Sequence, residues 1–295
     1  MKISFLSPLI AQLTETESIS LAKSIEYKEI ITPLSKDAIA TSYVQQGDTG
    51  TPILLLHGFD SSVLEFRRLL PRLATQNQTW AVDLLGFGFT DRPSNIKINP
   101  SAIAVHLHCF WKTLINQPVT LVGASMGGAA AIDFTLTYPE AVKKLVLIDS
   151  AGFTAGSAMG KFMFSPLDYL ATQFLRNPKV RASISRTAYK DKSCASLDAQ
   201  LCGALHLNMP GWDTALIAFT KSGGYSSFKD KLAQVKQPTL ILWGDADRIL
   251  GIADAEKLNN AISHSQLIWL RDCGHIPHLE QPQLTSQHIL KFISR

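Results

Sequence analysis

Short apolar runs separated by amphipathic stretches set the rhythm of this chain. The runs 52–56 (Pro-Ile-Leu-Leu-Leu), 119–122, 144–149 and 239–243 are nearly unbroken, as strands covered on both faces must be. Residues 80–83 and 266–270 are two further short strands. Earlier, 24–31 and 38–46 alternate in the manner of antiparallel strands, and Gly47-Asp48-Thr49-Gly50 is a turn after them. Between the strands the period lengthens to that of helices. One is expected from about 62, with Leu64, Leu69, Leu70 and Leu73 on one side; others are expected over 101–116, 129–136, 253–261 and 282–293. Residues 1–22 are polar and helix-prone, and are expected to form a surface segment. Strand and helix alternating in this way predict an α/β fold with a mostly parallel, eight-stranded sheet and helices on both faces.

The alternation stops over 153–228. That stretch holds no comparable strand but carries Phe162, Phe164, Leu167, Tyr169, Leu170, Phe174, Leu205, Met209, Trp212, Ile217 and Phe219. It reads as an inserted helical cap dividing a core of 1–152 and 229–295; the alternative is outer helices of the same domain. A cap leaving the sheet at its carboxyl edge would roof that edge with apolar side chains. Met209, Trp212 and Phe162, together with His57 below them, are the expected pocket residues, suited to a small-molecule substrate with a hydrophobic part. Such a cap would set substrate choice and leave the chemistry to the core.

The bulk numbers narrow this little further. An apolar content of 46% over 295 residues supports one large core, and 18% charged residues is low for a disordered chain. The net charge of +4 is scattered, with no dense Lys/Arg run of the kind a nucleic-acid surface needs. No stretch reaches the roughly 18 apolar residues of a membrane span. The opening residues lack a clear signal-peptide cleavage site. Cys109, Cys194, Cys202 and Cys273 show no metal-ligand spacing. Cys194 and Cys202 could pair, but free thiols in a reduced cytoplasm are the plainer reading. Neither a metal nor a cofactor is expected.

Chemistry concentrates around Gly123-Ala124-Ser125-Met126-Gly127, a Gly-x-Ser-x-Gly between an apolar strand and a small-residue helix. A strand that reverses into a helix so abruptly holds its turning residue in a strained conformation and leaves room only for very small residues two places before and after it. The serine hydroxyl then projects beside the positive end of a helix. A serine needs a base to take its proton and an acid to orient that base, and post-strand loops of a parallel sheet gather at one edge. Three such loops carry Ser125, Asp247 and His275, in the chain order Ser, Asp, His that the motif predicts. His57 and His278 compete with His275; Asp245 and Asp149 compete with Asp247. His106 and His108 lie two apart in a helix and read as structural. The oxyanion donors are expected to be the backbone N–H groups of Met126 and Phe59.

His57-Gly58-Phe59, Asp83 with Gly86-Phe87-Gly88-Phe89-Thr90-Asp91-Arg92-Pro93, Gly123-Ala124-Ser125-Met126-Gly127-Gly128, Trp243-Gly244-Asp245-Ala246-Asp247-Arg248 and Cys273-Gly274-His275-Ile276-Pro277-His278-Leu279-Glu280 together resemble the α/β-hydrolase family. The resemblance runs from about 25 to 293. It is closest to the capped, cofactor-free subgroup that includes carboxylesterases, lactonases and hydrolases of meta-cleavage products. It implies Ser125 as nucleophile, Asp247 as acid, His275 as base and Phe59 and Met126 as oxyanion amides, acting on a carboxylic ester or related acyl group through an acyl-enzyme. Haloalkane dehalogenases and epoxide hydrolases of this fold place an aspartate at the elbow, so the serine argues against both. C–C bond hydrolysis, acyl transfer, a perhydrolase side activity and a non-catalytic ligand-binding role are the alternatives the resemblance leaves open.

Overall fold

The computed structural model describes residues 10–154 and 166–295. In chain order its strands are β1 (Glu26–Ile30), β2 (Ile39–Gln46), β3 (Ile53–Leu56), β4 (Thr79–Val82), β5 (Val119–Ala124), β6 (Val142–Ile148), β7 (Thr239–Gly244) and β8 (Ser265–Leu270). They form one eight-stranded sheet in the order β1-β2-β4-β3-β5-β6-β7-β8. β1 and β2 are antiparallel, as is β2 against β4, and every later pairing is parallel. The four unbroken runs of the sequence lie in β3, β5, β6 and β7, the centre of the sheet, where β3, β5 and β7 are buried at every position. Two apolar clusters, one on each face, pack helices against the sheet.

The helices are α1 (Thr16–Lys23), α2 (Leu70–Leu73), α3 (Pro100–Leu114), α4 (Met126–Thr137), α5 (Leu167–Arg176), α6 (Pro178–Ala188), α7 (Leu197–Cys202), α8 (Trp212–Ser222), α9 (Ala253–Ala261), α10 (Pro277–Glu280) and α11 (Pro282–Ile293). α3 begins where the side chain of Asn99 accepts from Ala102 N at 2.9 Å, with Pro100 in the first turn. Two expectations need correction. The helix foreseen from 62 is broken: a 3₁₀ turn at Val63–Phe66, capped by Ser62, is followed only by the four residues of α2. Pro71 allows a first turn there but cannot continue a helix from the preceding turn. The amino-terminal segment is not merely superficial. Leu13, Leu21 and Ala22 are buried in the core, and Asp198 of α7 accepts from Thr14 N and Glu15 N at 2.9 Å each.

Between β6 and β7 the chain departs at Gly152 and returns at Phe228, and those two residues are joined by Phe228 N donating to Gly152 O at 2.8 Å. The described part of this excursion contains α5, α6, α7 and α8 and no strand. It lies over the carboxyl ends of the parallel strands: residues of α5, α6 and α7 share one cavity with Ser125 and His275. No helix among the described residues is long and apolar enough to cross a membrane.

Candidate active site

Ser125 stands between β5 and α4 with φ 52° and ψ −119°. That left-handed conformation is uncommon for a residue with a side chain, and the surroundings enforce it. A Cβ at Gly123 would fall on the Gly127 carbonyl, and one at Gly127 on the carbonyl of Leu56 in β3. The turn therefore closes against its own backbone and against the neighbouring strand, as the spacing of small residues predicts. Ser125 N donates to Ile148 O at 3.0 Å, and Ser125 O accepts from Ala151 N at 3.0 Å, which fixes the tip to the end of β6.

The three post-strand loops meet. His275 Nε2 lies 3.0 Å from Ser125 Oγ and its Nδ1 lies 2.9 Å from Asp247 Oδ2. A carboxylate only accepts, so Nδ1 carries the proton and Nε2 presents a lone pair to the serine hydroxyl. Asp247 Oδ1 accepts from Ile249 N at 2.7 Å and Leu250 N at 3.1 Å. Burial alone would raise the pKa of Asp247, but the bonds from His275 and from those two amides outweigh it and hold the group below the usual carboxylate range. Asp149 behaves oppositely. It is fully buried beside Asp247, and burial first and that neighbouring negative charge second push its pKa well above the usual carboxylate range. Its Oδ1 accepts from Gly244 N at 3.0 Å. Asp245 takes Cys273 N at 3.4 Å rather than His275. Asp149, Asp247 and His275 offer ligand atoms within 4.8 Å of one another, but both ring nitrogens of His275 are engaged by Asp247 and Ser125, which leaves no free lone pair for a cation.

Gly58 lies against the serine: a Cβ there would come 3.4 Å from Ser125 Cβ. The amides of Phe59 and Met126 take part in none of the turn, loop and cap hydrogen bonds of the described residues. The Phe59 loop is held from both sides. Glu65 accepts from Gly58 N at 3.0 Å and sits 3.2 Å from His278 Nε2. Burial would raise the pKa of Glu65, but His278 and then His57 outweigh it and bring it to about 2. Asp60, at φ 49°, accepts from Arg181 Nη1 at 2.6 Å, His206 Nε2 at 3.1 Å and Trp212 Nε1 at 2.7 Å. Burial is again outweighed, here by His206 and Arg181, and the Asp60 pKa falls to about 2.

A cavity of about 310 Å³ opens onto Ser125 and His275, walled by Leu64, Leu175, Ile184, Ala188 and Tyr189 among others. Of the four residues expected to line the pocket, three do not. His57 is fully buried, with Nδ1 2.8 Å from Gly58 O and Nε2 accepting from Leu84 N at 3.2 Å. Trp212 spends its N–H on Asp60, and Met209 packs in the apolar cluster beneath, with Leu205 and Phe89. Phe162 lies outside the described residues. The two histidines read as structural have partners away from the site: His106 bonds Thr41 Oγ1 at 2.8 Å, and burial lowers its pKa to about 4; His108 stacks on Tyr138 at 4.0 Å. Sequence reasoning passed over Asp60, Glu65 and Arg181. The only local signal was an acid directly after Phe59 and another five residues on; their partners are remote in sequence.

Against known proteins, a family model described as alpha/beta hydrolase fold matches residues 51–282. The chain is 36% identical over 83% of its length to the alpha/beta hydrolase domain-containing protein VTE7 of Arabidopsis thaliana, covering 73% of that protein. It is 29% identical to a 2-hydroxy-6-oxo-2,4-heptadienoate hydrolase of Pseudomonas putida, with 79% of this chain and 85% of that one covered. Among solved structures, a thermophilic esterase from Thermogutta terrifontis superposes with a TM-score of 0.77 at 22% identity, over 91% of this chain and 98% of that one.

Proposed function

The chain belongs to the α/β-hydrolase fold family, and we propose that within it this protein is a serine hydrolase acting on a carboxylic ester or related acyl substrate with a hydrophobic part. The observation that carries the reading is His275 bridging Ser125 and Asp247 at 3.0 and 2.9 Å on the wall of the cavity. In this reading His275 Nε2 takes the hydroxyl proton as Ser125 Oγ attacks the acyl carbon, and Asp247 stabilises the imidazolium. The Phe59 and Met126 amides receive the charge that develops on the carbonyl oxygen. His275 returns the proton to the leaving alcohol as the bond to it breaks, and water repeats the sequence on the acyl-enzyme to release the acid. Residues 153–228 act as a cap that keeps water from the oxyanion and shapes the acyl site.

A second reading, hydrolysis of a C–C bond in a vinylogous diketone, has the Pseudomonas putida relative in its favour. The substrate named there is an acid. In this cavity Arg181 is bound to Asp60, and buried Arg67 lies 3.5 Å from Glu15 Oε2. Arg181 is thus already engaged, while the buried Arg67 Nε and Nη2 have no hydrogen-bond partner among the described residues. The deciding experiment is a turnover screen across esters, lactones, thioesters and vinylogous diketones with Ser125→Ala as blank, alongside labelling by a fluorophosphonate. Ester turnover, stoichiometric label on Ser125 and a loss on the order of 10⁶-fold in kcat in the blank are expected. Near-normal turnover by Ser125→Ala would end the proposal.

A further inference from the structure

The Asp60 carboxylate is one of the points where the excursion between β6 and β7 grips the core, beside the bonds of Asp198 to Thr14 and Glu15 and of His275 N to Ala188 O. Three side chains from that excursion converge on it: Arg181 of α6, His206 before α8 and Trp212 at the start of α8. They lie 121, 146 and 152 residues away along the chain. Arg181 reaches further, donating through Nη2 to the backbone oxygen of Asp60 at 3.3 Å and to Gly203 O. Phe219 of α8 adds a ring contact to Phe59 at 6.2 Å. Asp60 is 8% exposed. A carboxylate accepting three donors in a dry site is a stiff joint, because breaking any one bond leaves a buried polar group unpaired.

What makes this more than a structural anchor is its position. Asp60 directly follows Phe59, and its own backbone is left-handed at φ 49°, which ties the direction of its side chain to that of the Phe59–Asp60 peptide. The peptide plane bearing the Phe59 amide is thus set from one side by Glu65 on Gly58 N and from the other by the three donors on Asp60. We infer that Asp60 is a positioning residue through which Arg181, His206 and Trp212 aim the Phe59 amide at the developing oxyanion. The inference rests on the serine-hydrolase reading. It adds to the expectation that the excursion selects substrate: here the helices over the site would also hold one of the oxyanion donors in register.

The test compares Asp60→Asn and Trp212→Phe with the intact protein, on p-nitrophenyl acetate and on a trifluoromethyl ketone. The acetate is too small to depend on the acyl site. The ketone forms a tetrahedral adduct with Ser125 whose oxygen needs the same donors as the transition state. Asp60→Asn keeps shape but loses the charge that gathers the donors. It should lower kcat between tenfold and a hundredfold, short of the 10²–10³ that follows outright removal of an oxyanion donor. KM should stay within about threefold, and ketone affinity should fall in step with kcat. Trp212→Phe removes a single bond and should show the same pattern at roughly a third to a tenth of the size, which keeps the inference testable if Asp60→Asn does not fold. A merely structural role would lower the melting temperature while leaving kcat and ketone affinity unchanged below the melt, and that result overturns the inference. Failure of the intact protein to turn over any ester or to take a fluorophosphonate label would instead remove the serine-hydrolase reading beneath it.

Discussion

The tip carrying Ser125 and the loop carrying Phe59 face one another across the same few ångströms, yet they are held by opposite means. The tip is fixed by what is missing. Gly123 and Gly127 lack the Cβ atoms that would strike the turn and β3, and the backbone closes on itself. The loop is fixed by what arrives from elsewhere: Glu65 and His278 on one side, and Arg181, His206 and Trp212 on the other. Steric closure is local, brittle and independent of charge. Closure by hydrogen-bonded ions is long-range, graded and dependent on pH. The two halves of one site should therefore fail in different ways.

The largest effect belongs to the tip. Gly127→Ala places a methyl on the Leu56 carbonyl, and neither β3 nor α4 can move away without unpacking the core. Either no folded protein accumulates, or ester turnover falls to the level of Ser125→Ala. An active, folded Gly127→Ala protein would show that the tip has slack and erase the contrast. Next comes the acid. Asp247→Asn should cost about 10⁴-fold in kcat by favouring the wrong histidine tautomer. Asp149→Asn should cost less than tenfold, because burial and the Asp247 charge favour the neutral form of Asp149, and an amide is a fair copy of a neutral acid. If Asp149→Asn proves the crippling change, the assignment of the acid moves to the end of β6.

The smallest effect is on stability and appears only in acid. Asp60 and Glu65 titrate near 2 in the folded chain, against ordinary values of 3.8 and 4.5. The unfolded chain therefore takes up protons first as pH falls. The stability these groups contribute is complete above about pH 5 and is lost progressively between about pH 4.5 and 2. Urea midpoints followed from pH 6 to 2.5 should fall through that window, and Glu65→Gln should flatten the descent. A variant that loses stability equally at pH 7 and pH 3 would show that the loop is held by packing rather than by charge.

The same contrast explains what could be read from the sequence. All eight strands were visible: the central ones because a strand buried on both faces must be apolar along its whole length, and β1 and β2 because their positions alternate. The meeting of Ser125, Asp247 and His275 was legible because each follows a parallel strand, and parallel strands bring their carboxyl ends together. The pocket was not. His57, Met209 and Trp212 were chosen for chemistry and apolarity, but whether a side chain faces a cavity depends on how one helix lies on another. His57 turned to Gly58 O and Leu84 N, and Trp212 turned to Asp60. Asp60 and Glu65 went unremarked because neither has its charged partner nearby in the chain: Arg181 lies 121 residues beyond Asp60, and His278 lies in α10.

The pairing of Phe228 with Gly152 bears on how such a protein can diversify. Its excursion begins and ends at one spot, in the connection between two strands that are already hydrogen-bonded neighbours, so the whole stretch between can be exchanged as a cassette without altering strand register or loop-closure entropy by much. Acyl preference can then drift by wholesale replacement rather than residue by residue. The exchange carries one condition. A transplanted cassette that lacks a counterpart of the Arg181, His206 and Trp212 donors delivers a new pocket to an enzyme whose Phe59 amide has lost its aim. Chimeras cut at these two residues should divide accordingly, into those that keep partners for Asp60 and turn over, and those that fold and stay idle.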